Sequence, residues 1–303
     1  RQRDNKMKLY LDCIPCFQNQ ALFATRNLSN KLQEKILRKV MNLLYNLNWE
    51  ITPDEIANRV YSLIREETGI IDPYKEIKEK SNKIALELYP KLKMKLEKSR
   101  KEDRLCIAVN LAIAGNIIDY ITDFGLTSGF DLEKTIEEVL NKKPAINDLE
   151  ILKEKTLLGE TLLYFADNAG EIVLDKIFIE EMIETRGKPF KHISFVVKGG
   201  PIVNDAMIDD AYDAGIDKLP NVVFYKLGNG QKGTGPNRRD DEVKRWIRQH
   251  NLVISKGQAN FEGLSENSNI FFILMAKCPI IARELGVSTM DTVIKYNQRE
   301  EKR

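Results

Sequence analysis

From about residue 160 the chain repeats one pattern: a short apolar run, then Gly, Asn, Asp or Lys, then a stretch of helical character. The runs are "TLLYFA" before Asp167, "HISFVVK" before Gly199, "NVVFYKL" before Gly228, "LVIS" before Lys256 and "IFFILMA" before Lys277. Apolar runs of this length without polar alternation are strands covered on both faces, and helices between them supply the crossovers of a mostly parallel sheet. In such a sheet ligands collect outside the carboxyl ends of the strands. The segments that follow the runs would therefore meet at one edge.

The first part of the chain obeys a different period. In "LSNKLQEKILRKVMNLLYNL", Leu32, Ile36, Val40, Leu43, Leu44 and Leu47 share one helical face. "TPDEIANRVYSLIREETG" carries its own punctuation, with Thr52 as N-cap, Pro53 in the first turn, Glu55 three residues after the cap and Gly69 as stop. A further helix start falls at Asp72-Pro73, and another helix runs from about Asp103 to Tyr120. The expected organisation is a helical part over 1–150 and an α/β part over 151–303.

The strand-end segments are polar in a chemically specific way. "DNAGE" spans Asp167 to Glu171 and leads straight into a helix; "KGGPIVNDA" brings Asn204 and Asp205; "SKGQANFEG" follows the fourth run, and Lys277 the fifth. Asp167, Asn168 and Asp205 offer hard oxygen ligands suited to Mg²⁺ or Mn²⁺. Lys256 and Lys277 add positive charge, and glycine-bearing turns let backbone N–H groups approach a ligand. A cation flanked by lysines and backbone donors stabilises a phosphoryl group in transfer. Taken singly, Asp-Asn and Asn-Asp are equally turns and helix caps, and the lysines ordinary surface residues. Their shared position after successive strands favours the site.

Gly228, Gly230 and Gly233 in "GNGQKG" match G-x-G-x-x-G, but Gly235-Pro236-Asn237 follows where a dinucleotide fingerprint needs a helix, so the segment reads as a loop. With 43% apolar and 30% charged residues and a formal net charge of +2, the chain has a globular balance and no excess of cations for nucleic acid. The apolar stretch from Leu105 to Ile121 is broken by Asn110, Asn116 and Asp119, so it reads as a buried helix and no membrane partner is expected. The charged opening "RQRDNKMKLY" carries no secretory signal, and a cytoplasmic location is expected. Cys13 and Cys16 form a C-x-x-C, but Cys106 and Cys278 are isolated and only two His exist, so thiols packed at a helix start are the simpler reading.

Together "DNAGE", "VKGGPIVNDA", "SKGQANFE" and "AGNIIDY" resemble the motifs of the metal-dependent damage-control phosphatases, long filed as domain of unknown function 89. With "CIPC" and the helical first half, the likeness spans nearly the whole chain and is closest to the archaeal and bacterial branch. The resemblance implies an all-helical N-terminal subdomain packed on a three-layer α/β domain with a mostly parallel sheet. It further implies hydrolysis of small phosphorylated metabolites, such as sugar phosphates, supported by Mg²⁺, Mn²⁺, Co²⁺ or Ni²⁺. Metal ligands would fall on Asp167, Asn168 and Asp205. Substrate and phosphate contacts would fall on Glu171, on the segment from Lys256 through Gly257 to Asn260, and on Lys277, with Asn116 and Asp119 as an edge from the helical part. In that chemistry Lys256 and Lys277 neutralise developing charge, and a carboxylate, Asp167 or Glu171, orients or activates the nucleophile. Two other readings compete: a carboxyl methyltransferase using S-adenosylmethionine, as a related branch has been described, and a non-catalytic binder of a phosphorylated ligand with zinc at Cys13 and Cys16.

Overall fold

The computed structural model describes residues 9–124, 132–228 and 241–298, with the backbone alone at 119–124 and 132–133. The GNGQKG loop beyond Gly228 lies outside the described residues.

The chain opens with helices α1 (Cys13–Ala24), α2 (Asn30–Tyr45), α3 (Pro53–Thr68), α4 (Lys75–Lys98), α5 (Arg104–Phe124) and α6 (Leu132–Asn141). The expected stripe on α2 is the buried one, with Ile36, Val40 and Leu44 facing in. On α3 the capping box joins Thr52 and Glu55, Pro53 sits in the first turn, and Gly69 closes the helix at φ 71°. These three helices enclose their own apolar cluster, which includes Phe17, Ile36, Val40, Ile56, Val60 and Tyr61 and also takes in Ile202. Helix α4 joins that cluster at its start through Ile77, and the rest of α4, with α5 and α6, shares the main core with the sheet. On α5, Ala108, Val109, Ala112, Ala114 and Ile118 are fully buried, which explains its apolar character on every side. Each such Ile or Val contributes roughly 1.5–3 kcal/mol by leaving water.

The sheet contains β1 (Ile146–Asn147), β2 (Thr161–Phe165), β3 (His192–Lys198), β4 (Val222–Leu227), β5 (Leu252–Lys256), β6 (Ile270–Met275) and β7 (Thr292–Asn297), in the order β1-β7-β6-β5-β2-β3-β4. All five apolar runs are strands, and β4, β3, β2, β5 and β6 are mutually parallel. Two strands lie outside those runs: β7, which runs antiparallel to β6, and two-residue β1, which pairs with β7. Helices α7 (Leu149–Leu158), α8 (Glu171–Arg186), α9 (Ile208–Asp213), α10 (Asp241–Gln249), α11 (Gln258–Leu264) and α12 (Pro279–Leu285) connect the strands. One face of the sheet packs against α4, α5 and α8, the other against α10, α11 and α12, giving three layers. The chain leaves β2 toward β3 and β4, then returns to the other side of β2 as β5. That reversal opens a crevice between the ends of β2 and β5, the place where α/β sheets hold ligands. No described helix is long and apolar enough to cross a membrane.

Candidate active site

Asp167 stands just beyond β2, 6% exposed, in a turn stitched to the loop after β3. The Ala206 N–H donates to the Asp167 carbonyl (2.8 Å) and the Ala169 N–H to the Asn204 carbonyl (3.0 Å), while Asn168 and Asp205 pair as an isolated antiparallel bridge. Two loops far apart in sequence thus behave as one short ribbon. Val203, β-branched, takes φ 43° in the second loop, so backbone strain is concentrated beside Asp205.

Across the crevice, Gly257 lies with its backbone against the Asp167 carboxylate. It adopts φ +77°, and a Cβ there would fall 1.9 Å from Asp167 Oδ2. The "SKGQAN" glycine is therefore needed for contact with Asp167 itself. Asn116 reaches in from α5 and donates from Nδ2 to Glu171 Oε2 (2.5 Å) and Asp167 Oδ2 (3.3 Å). Asn168 Nδ2 donates to the same two carboxylates at 3.0 and 3.3 Å. Lys277, half-buried, donates to the Asn116 carbonyl at 2.6 Å.

The structure corrects two expected contacts. Lys256 has no exposed surface, and its ammonium is consumed by the Ala112 carbonyl (2.9 Å), Glu171 Oε1 (2.5 Å) and Asp175 Oδ1 (2.7 Å). An ammonium has three protons, so none remains for a phosphoryl oxygen. Asn260, 1% exposed, is likewise spent: Oδ1 accepts from Lys198, and Nδ2 donates to the carbonyls of Ala166 and Lys256. Both residues brace the site from behind. Asp119 lies on α5, but its side chain falls outside the described residues.

Two residues that the sequence reading passed over complete the arrangement. Lys198, the last residue of β3 and 4% exposed, sits 3.3 Å from Asp205 Oδ2. Asp175 lies one turn after Glu171 on α8, on the same face, which the i, i+4 spacing could have revealed.

The electrostatics are those of crowded carboxylates. Burial, then the charges of Glu171 and Asp205, pushes Asp167 well above the ordinary carboxylate range. Burial also raises Asp205, with Lys198 only partly offsetting it, and raises Asp175 to about 7. Burial opposes the Lys256 ammonium, but the neighbouring Asp175 and Glu171 outweigh it and leave the amine more basic than usual.

Among the described residues no three His, Cys, Asp or Glu side chains converge as a metal-ligand group. The hard-oxygen set is therefore two carboxylates and one amide. Among the described residues nothing donates to Asp167 Oδ1, Asn168 Oδ1 or Asp205 Oδ1, so each presents an oxygen without a protein partner. This set fits a hard cation that completes its shell with water or substrate. At the start of α1, burial pushes the Cys13 thiol up to about 11, and Cys16 accepts from Gln20 Nε2 at 3.3 Å.

Glu262 on α11 is a further carboxyl, partly buried and beside Asp54 of α3, and desolvation followed by the Asp54 charge raises it from 4.5 to about 8. The unfolded chain releases this proton first, so the stability it contributes is complete below pH 4.5 and lost as pH rises through about 8. Glu262→Gln is expected to raise the thermal midpoint at pH 8.5 by several degrees, equivalent to about 1–3 kcal/mol, and to leave it unchanged at pH 4. Thermal denaturation at the two pH values checks this.

A three-layer α/β chain that gathers carboxylates, amides and buried lysines at the switch point of its sheet has the plan on which such proteins hold small polar ligands. The chain belongs to the damage-control phosphatase ARMT1-like domain family, whose model matches residues 9–293. It is 32% identical over 300 residues to an uncharacterised protein of Methanocaldococcus jannaschii, covering 95% of each chain. It is 34% identical over 288 residues to a damage-control phosphatase of Pyrococcus horikoshii, covering 93% of this chain and 95% of that one. The crystal structure of a Pyrococcus horikoshii protein of the domain-of-unknown-function-89 family superposes with a TM-score of 0.82 at 32% identity, covering 96% of this chain and all of the other.

Proposed function

We propose that this chain is a divalent-cation-dependent phosphatase acting on small phosphorylated metabolites. The observation that carries the reading is the set of partnerless oxygens on Asp167, Asn168 and Asp205, gathered where two carboxyls are held above their ordinary range. The names of the Pyrococcus relative and of a damage-control phosphatase of Archaeoglobus fulgidus, 34% identical over 246 residues, support the class of reaction.

In this reading Asp167, Asn168 and Asp205 hold Mg²⁺, Mn²⁺, Co²⁺ or Ni²⁺, and a bound cation supplies charge neutralisation and polarisation of the phosphoryl oxygens. The chain's own groups do the remainder. Lys256 pairs directly with one oxygen of Glu171, while Asn116 and Asn168 hold the other. Glu171 is thus oriented to accept a proton at the edge of the cation site. Lys277, with one proton committed to the Asn116 carbonyl, has two further N–H groups for a phosphoryl oxygen.

The test is a screen of small phosphate esters with Mg²⁺, Mn²⁺, Co²⁺ or Ni²⁺ against chelator-treated protein. Phosphate release is expected to fall to background on chelation and to return on adding back the cation. Mn²⁺, and not S-adenosylmethionine, is expected to raise the thermal midpoint. Saturable ligand binding without phosphate release under any cation would replace the phosphatase by a binding protein, and stabilisation by S-adenosylmethionine alone would favour the methyltransferase.

A further inference from the structure

The cation-site loops are tied together from behind by a side chain of the helical part. Asn82, on α4 and 3% exposed, accepts the Gly170 N–H on Oδ1 at 2.6 Å and donates from Nδ2 to Asp210 Oδ1 at 3.1 Å. Gly170 ends the turn that carries Asp167 and Asn168, and is the N-cap of α8. It adopts φ +79°, and a Cβ there would meet Ser81 Cβ at 2.8 Å, so this turn is pressed directly on α4. Asp210 lies in the first turn of α9, directly after the loop that carries Asp205. Its other oxygen accepts the Met207 N–H (2.9 Å) and faces Lys78 Nζ (3.4 Å), which also pairs with Asp72 (2.8 Å).

One amide therefore grips the end of the first ligand loop with its oxygen and the end of the second with its nitrogen. We propose that Asn82 is a positioning residue that sets the separation of Asp167 and Asn168 from Asp205. This rests on reading those three residues as a cation site. The arrangement fixes the chemistry at position 82: an acceptor on the Gly170 side and a donor on the Asp210 side. Asn82→Asp keeps the acceptor but turns a second carboxylate oxygen on Asp210. The double variant Asn82→Asp, Asp210→Asn exchanges the roles, restoring one donor and one acceptor without changing net charge relative to the parent.

The experiment measures two properties of each variant: amide hydrogen exchange of the cation-free protein over 167–172 and 204–210, and Mn²⁺ affinity by calorimetry. Asn82→Asp is expected to accelerate exchange in both segments and weaken Mn²⁺ binding by about 10- to 100-fold, as loss of an outer-shell partner does. The double variant is expected to recover most of both. Parent-like exchange in both segments of Asn82→Asp, or acceleration spread evenly over the fold with no recovery in the double variant, overturns the proposal. If the parent protein binds no Mn²⁺ and releases no phosphate, the cation reading fails, while the exchange measurement still decides whether Asn82 couples the two loops. Should Asn82→Asp not fold, Asn82→Ser, whose hydroxyl is too short to reach both partners, takes its place in the same comparison.

Discussion

Replacing Lys256 with methionine is expected to destabilise the fold by about 3–5 kcal/mol at pH 8, because the change strands two buried carboxylates that share one ammonium. Glu171 and Asp175 are 1% and 0% exposed, and Lys256 is their common cation. The loss should shrink toward pH 5, where the stranded Asp175 carboxyl, raised by burial to about 7, takes up a proton, and Asp175→Asn in the same background should recover part of it. Hydrolysis should fall by about 10²-fold or more as Glu171 loses its anchor. Denaturant unfolding at both pH values gives the measurement. A Lys256→Met protein with parental stability and impaired hydrolysis alone would return Lys256 to direct contact with phosphate.

Asp167→Asn separates function from stability in the opposite sense. Folding raises this carboxyl's pKa, so its ionised form opposes folding at neutral pH, and the isosteric amide removes that opposition. The cation-free variant is expected to melt about 2–6 °C above the parent. With one of two carboxylate ligands gone, kcat/KM is expected to fall by about 10³-fold or more. Cation addition should then stabilise the parent and leave the variant unmoved. Retained cation-stimulated hydrolysis in Asp167→Asn would place the site elsewhere.

The strands and the edge they share were legible because each apolar run ended in a polar signature, and because α3 carried its own start and stop residues. β7 was not legible: "TVIKYN" is only half apolar, less so than any of the five runs. Asp167, Asn168, Asp205 and Glu171 meet because strand ends and the first turn of α8 fix their places, and Asn116 joins them from α5. What the sequence concealed was direction. Lys256 and Lys277 look alike in the chain, yet the former lies within the last residue of β5 and points under α5 and α8, whereas the latter lies past the end of β6. Asn82 gave no local signal, because an asparagine inside a charged helix is indistinguishable from a solvated one until the fold brings Gly170 against it.

The apolar cluster of α1 to α3 is separate from the core shared by α4, α5, α8 and the sheet, yet it reaches the loop of Asp205 through Ile202 and through the Arg65 contact to the Pro201 carbonyl at 3.1 Å. Substitutions in these three helices can therefore reshape the approach to the crevice while the braced carboxylates keep their support from the other core.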